Sequence, residues 1–569
     1  MSDFKVRALE VHSQNAWDYD WIKKTIRFIK EHGMTSLVLH RNDFIDLIIY
    51  PSKYFGGKRE KYNNVFERYQ DIFRTLYKFT PTRRSGPFQR RAYLNRLIEE
   101  TGREGIDIYI ENKELYFPEI ILEFYPHLVK DGKICANEPF WWEFTKVKYT
   151  EFFEEFPGIS GIITAPATGE SKVSASSNRC TCELCKSTPK HEWYWKLLTS
   201  MYEPISAAGK KLIIRDFVFD TKAHNDIAST MEKLPGDVIM ALKNTPHDYY
   251  PTFPDNPRIG NVGDHAQWVE FDAMGQYFGW GIGPSIMIDD MRRRMSLAKE
   301  KGAEGVIVRT DWESLDGHSC FKTLNYINLY AAAALSDNLK ADSTSIYRQW
   351  LEELGMYAPG LDEGNKRSTA AWIEGIMKQT FDVMRRTVFV SDCVFSDSST
   401  IPVSMEHAFW LAEEKNSLKD WDKSKESALN ADAENVKIIM NEKDEALRLV
   451  IKLLGDVKAG NAGITQEGYS FLVDRFEIFV KYVRAFRVVV HSIFLTKYML
   501  ERKADDETPF AQQAEAVLEE KFNDLILLSK DLEEFSKSTS FQHTVYTLLD
   551  PLRLKALYDD LHRRLGREV

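Results

Sequence analysis

Between Val6 and Arg309 short apolar runs alternate with longer stretches in which apolar residues recur at helical spacing. The runs cover 6–12, 36–40, 106–110, 159–164, 211–215, 238–242, 268–272 and 305–309, and nearly all close on a polar or acidic residue. They are short and rich in β-branched side chains, as strands buried on both faces must be. Stretches such as 21–30 separate them, and Gly33 follows that one as a helix C-cap. Eight strands with intervening helices predict a (β/α)8 TIM barrel, whose site is built where the strands end. After residue 340 the pattern turns to long amphipathic stretches, at 341–355, 367–388, 423–457, 466–503, 508–537 and 541–565. These predict an all-helical C-terminal domain. The expected division is a barrel over 1–338 and a helical domain over 339–569.

Composition narrows the partners. With 75 Lys and Arg against 85 Asp and Glu, the formal charge is −10. A nucleic-acid or anionic-membrane surface would need clustered cations, so neither partner is expected. No apolar run approaches the roughly 20 residues of a membrane span. Met1-Ser-Asp-Phe-Lys has no signal-peptide core, so the chain as given is expected in the cytoplasm. A trimmed leader would instead place it in the periplasm or outside the cell. Residues 51–100 form a basic insertion after the second strand, with Gly56-Gly57 and Arg83-Arg84, in the place of a lid or subsite wall.

Chemistry is then sought just past each strand. The third strand leads to Glu114, the fourth to Thr168-Gly-Glu170, and the fifth to Arg215-Asp216 and on to Asp220. The sixth leads to Lys243-Asn244 and Asp248, the seventh carries Glu270 and Asp272, and the eighth leads to Asp311-Trp312-Glu313 and His318. Carboxylates at several strand ends, with Trp and Tyr between them, match glycoside hydrolysis: one acid protonates the leaving oxygen and another activates water or attacks the sugar. The plain alternative for each acid alone is a helix cap. Glu170, Asp311 and Glu313 are the catalytic candidates, with Glu270 in reserve. Arg215 and Lys243 suit a carboxylate, sulfate or phosphate on the substrate through charge-assisted hydrogen bonds, unless they form internal ion pairs.

The segment 213–220 is similar to one in family 67 α-glucuronidases that reads Trp-Arg-Ala-Phe-Val-Tyr. Segment 237–249, with Lys243-Asn244-Thr-Pro246-His-Asp248, resembles their Asn-Val-Ile-Val-Gln-Ile-Lys-Asn-Gly-Pro-Ile-Asp-Phe. Glu270-Phe-Asp-Ala-Met-Gly-Gln276-Tyr277-Phe-Gly279 and Asp311-Trp-Glu-Ser-Leu-Asp-Gly317-His318 resemble two further motifs, so the likeness spans about 205–335. It implies a barrel followed by helices, dimerisation through those helices, an exo-acting two-carboxylate hydrolase of uronic-acid or other acidic glycans, and Asp311 as base. It adds Asn244, Asp248, Gln276, Tyr277, Trp312 and His318 as substrate-binding candidates, and Glu114-Leu-Tyr-Phe-Pro, which resembles a broader group of barrel proteins from glycan-degrading systems, adds Glu114. Two departures stand out: the family's N-terminal β-domain has no counterpart here, and Gln276 occupies the position of its general acid. A non-catalytic glycan-binding barrel and a hexosaminidase-like enzyme are therefore the rival readings.

Catalysis of this kind needs no cofactor. Cys180-Thr-Cys182-Glu-Leu-Cys185, followed by His191, offers three thiolates and an imidazole to a structural zinc. One disulfide, or free buried thiols, would use the same residues.

Overall fold

A computed structural model describes residues 2–56, 61–174, 177–217, 221–414, 418–502 and 509–567. Gly57, Phe219 and Asp220, singled out above, lie outside the described residues. All eight anticipated strands form: β1 (Val6–Val11), β2 (Ser36–His40), β3 (Asp107–Glu111), β4 (Gly161–Thr164), β5 (Lys211–Arg215), β6 (Ile239–Lys243), β7 (Gln267–Asp272) and β8 (Gly305–Arg309). They close into one parallel barrel, in chain order around the ring.

The period of two along each strand sorts the interior into layers. Ala8, Val38, Tyr109, Ile163, Ile213, Ala241, Trp268 and Ile307, one from each strand, make a single buried apolar cluster. Two residues further along seven of these strands stand Glu10, His40, Glu111, Arg215, Lys243, Glu270 and Arg309. Register is staggered around the ring: Glu10 pairs with Arg309 and with Val38, His40 with Glu111, and Lys243 with Glu270. The barrel is apolar below and charged at its C-terminal mouth. Gly161 is required by closeness, since a Cβ there would lie 2.3 Å from the Lys211 carbonyl oxygen on β5.

The insertion after β2 is not an open loop. It holds helices at Ser52–Phe55, Val65–Leu76 and Pro81–Glu104. Its Arg68 and Arg91 both pair with the buried Glu155 at the end of the helix Phe140–Glu155, so part of its basic character is spent internally.

Compact packing divides the chain into Met1–Asp248, Asn256–Phe271 and Met295–Gly317 as one unit, and Tyr249–Asp255, Asp272–Arg294 and His318–Val569 as the other. The expected boundary at 338 follows chain order, but the units do not. In the second unit, Gly279 and Gly283 lie so near Met384 that a Cβ on either would meet its methyl at 2.6 and 2.4 Å. The segment after β7 therefore packs with the late helices. These include Ala433–Ala459, Gln466–Glu501 and Pro509–Ser538. Gln466–Glu501 buries Leu472, Phe476, Phe479, Val483, Phe486 and Val490, alternate steps of four and three that trace one helical face, and Thr465 caps it by accepting from the Gly468 N–H. Two expected stretches are broken: 367–388 divides between Met377 and Thr380, and 541–565 divides at Asp550-Pro551, where Asp550 caps the final helix. No described helix is long and apolar enough to cross a membrane.

Candidate active site

Arg215 organises the barrel mouth. From β5 it reaches across the ring to Glu10 on β1, and it also binds Glu111 on β3 and, through Nε at 2.6 Å, Glu270 on β7. Three carboxylates and one guanidinium are thus buried together, each side chain at most 5% exposed. Such a cluster persists only if charges are matched or neutralised. Burial pushes Glu10 up, but Arg215, His12 and Arg309 outweigh it and leave its carboxyl below the ordinary value. Glu111 goes the other way, to about 8, because burial prevails over Arg215 and Lys113. His40 lies between them, with Nδ1 2.9 Å from Glu10 and Nε2 2.9 Å from Glu111. Burial, followed by the charges of His12 and Lys113, holds His40 neutral. Glu111 therefore keeps a proton in the neutral range while Glu10 stays ionised against Arg215.

Above this floor the groups meet solvent. His12 stacks on His40 with centroids 3.5 Å apart and holds Glu313 through Nε2 at 2.7 Å. Glu313, 42% exposed, remains ionised: burial opposes this, but His12, Lys113 and Arg309 prevail. Lys113 binds both oxygens of Glu170, at 2.9 and 3.0 Å, and Asn42 donates to the same carboxylate at 2.8 Å. Lys113 also lies in the field of Glu313. Two solvent-reachable carboxylates thus stand at the mouth, Glu170 after β4 bound to the buried Lys113 and Glu313 after β8 bound to His12.

Other anticipated residues take different places. Asp311 is fully buried. It accepts from the His12 N–H at 2.6 Å, the Ser13 hydroxyl, Asn15 Nδ2 at 3.1 Å and Thr310 Oγ1 at 3.2 Å. No lone pair is left facing a substrate, so the expected base is a clamp on the turn after β1. Glu270 and Arg215 are likewise committed to the buried floor, and the internal ion pair is the reading that holds for Arg215. Lys243 pairs with Asp248 and lies 3.7 Å from the centre of the Phe217 ring, and burial lowers its pKa. Asn244 extends β6 pairing by donating its N–H to the Glu270 carbonyl. Trp312 is half-buried between Asp311 and Glu313. Glu114, at a positive φ of 47°, is buried and accepts from Thr168 Oγ1 and the Gly169 N–H, which fixes the loop carrying Glu170.

Gln276, Tyr277 and His318 belong to the second unit. Gln276 donates to the Tyr277 and Ser398 hydroxyls, and Tyr277 packs on Tyr250 at 4.2 Å. His318 is a core residue, not a ligand for sugar: Nε2 meets the Trp280 carbonyl, Nδ1 meets Gln542 and Thr544, and burial lowers its pKa to about 4. The thiol cluster gains a member that spacing did not show. Cys135 joins Cys180, Cys182 and Cys185, with all four sulfurs within 4.8 Å of one another, while His191 is exposed and outside the group.

Glu10, His12, His40, Glu111, Lys113 and Arg309 were not among the residues expected from the sequence. The signal was present: each continues the inward period-two phase of its own strand.

Sequence comparison finds no matching family profile and no matching curated protein. Fold comparison does find relatives. A GH138 enzyme targeting pectin rhamnogalacturonan II superposes with a TM-score of 0.58 and 11% identity, over 93% of this chain and 62% of its own length. A Vibrio harveyi GH20 exo-β-N-acetylglucosaminidase gives 0.38 and 11%, over 62% of this chain and 58% of its own. A Flavobacterium johnsoniae chitobiase gives 0.37 and 12%, over 98% and 78%. At these identities the first likeness establishes the TIM-barrel fold, and the other two carry no argument.

Proposed function

We propose that this chain is a glycoside hydrolase whose two working carboxylates are Glu170 and Glu313. The observation that carries the reading is the solvent access of Glu170, ion-paired with Lys113, and of Glu313, ion-paired with His12, at the C-terminal mouth, which Glu10, Glu111, Glu270 and Asp311 lack. Glu313, held ionised by His12, serves as base or nucleophile. Glu170, whose carboxylate Lys113 and Asn42 hold in place, is the second carboxyl group that such hydrolysis needs. A substrate bearing a uronic acid or other acidic sugar is the reading that the family 67 resemblance supports. The GH138 enzyme of like fold is described as targeting a pectin, which agrees with an acidic glycan.

The test is reducing-end release from uronic-acid-capped and neutral oligosaccharides by wild type, Glu170→Gln and Glu313→Gln. Release from an acidic member, reduced ~10²–10⁴-fold in both variants, is the expected result. Full activity in either variant removes that residue from the mechanism. Binding without release across the panel would replace hydrolysis with glycan recognition.

A further inference from the structure

The four thiols gather from two connections of the barrel. Cys135 lies between β3 and β4, just after a two-residue hairpin, whereas Cys180, Cys182 and Cys185 lie between β4 and β5. All four are free. Cys135 Sγ stands 3.6 Å from Cys182 and 3.5 Å from Cys185. A disulfide needs about 2.05 Å. Four sulfurs around one ion at about 2.3 Å, by contrast, stand ~3.8 Å apart along each tetrahedral edge. The spacing therefore matches a shared ion, not a bond.

The surroundings are those of a metal ligand shell. Asn137 Nδ2 donates to Cys185 Sγ at 3.5 Å, the kind of outer hydrogen bond that stabilises a thiolate. Two fully buried indoles fix the backbone of the Cys135 segment: Trp141 Nε1 donates to the Cys135 carbonyl at 2.9 Å and Trp193 Nε1 to the Ala136 carbonyl at 2.8 Å.

We propose that Cys135, Cys180, Cys182 and Cys185 bind one zinc ion, as a closed structural site without an open position for substrate or water. The ion clips the connection that follows Lys113 and Glu114 to the connection that follows Glu170. Those two segments also meet through the Leu115–Val173 bridge, the Ser171 hydroxyl on the Leu115 carbonyl and the Tyr116 hydroxyl on the Glu170 carbonyl. This proposal stands independently of the hydrolase reading, because its readouts are metal content and loop protection.

The full chain is purified without chelator and its metals are measured by mass spectrometry, alongside thiol titration. About one zinc per chain, released by a mercurial reagent, is expected. Replacement by Co²⁺ should give thiolate-to-metal charge-transfer bands and the visible bands of a tetrahedral site. Cys135→Ser should weaken both, while His191→Ala should leave them intact. To separate metal loss from any folding defect of Cys135→Ser, wild type stripped of metal is also tested. It should be cut faster by protease between residues 165 and 189 and be protected again by added Zn²⁺. Chains that carry no zinc and bind no Co²⁺, that carry iron instead, or that retain zinc fully in Cys135→Ser would overturn the proposal.

Discussion

Glu114→Gln tests the electrostatics of the loop that holds Glu170. Burial is the main cause that raises the Glu114 carboxyl from 4.5 to about 7, against the lowering effect of its hydrogen bonds with Ser174, Thr168 and Gly169. The folded chain therefore keeps a proton that the unfolded chain has lost between those two values. The stability this proton confers is complete below pH 4.5, falls as pH rises, and is gone above about 7. At about 1.4 kcal/mol per pH unit the loss amounts to ~3 kcal/mol. Glutamine stays neutral and retains Oε1 to accept from Thr168 and Gly169. Urea denaturation of both proteins, followed by tryptophan fluorescence across this range, gives the comparison. Near pH 4 the two should be equally stable, and near pH 8 the variant should be more stable by ~3 kcal/mol. A difference that does not change with pH, or a variant weaker than wild type at alkaline pH, would refute the assignment of a protonated, buried Glu114.

Three further outcomes follow from the same geometry. Arg215→Met leaves Glu10, Glu111 and Glu270 buried without their cation and should cost ~3–5 kcal/mol at neutral pH, measured by urea denaturation. That cost should shrink in acid as the carboxylates protonate. Asp311→Asn turns an amide NH₂ toward the donors of His12, Ser13 or Asn15 and should cost ~1–3 kcal/mol, so lost activity in this variant comes with a lowered melting temperature, and unchanged stability would restore Asp311 as a candidate base. Gly161→Ala forces a Cβ against the Lys211 carbonyl and should destabilise the barrel by ~1–3 kcal/mol in thermal unfolding; a neutral effect would show that β4 and β5 can separate there.

The sequence by itself determined the barrel. Eight short β-branched runs separated by helical stretches bury both faces in a parallel sheet covered by helices, and their number points to a closed ring. It also located Glu170 and Glu313, because a strand end is a position in the chain. Partnership is not. Asp311 and Glu313 are two residues apart, yet one is sealed by donors from the turn after β1 and the other faces solvent beside His12. Arg215 reads equally well as a substrate anchor, and only closure of the ring brings Glu10, Glu111 and Glu270 onto it. Cys135 lies far from Cys180 in sequence and meets it because β3 and β4 are neighbours in the barrel. The packing of residues 272–294 with the late helices is of the same kind. Burial, ion pairing and pKa depend on distances across the fold, and these distances are set by strand register and ring closure, which no local pattern encodes.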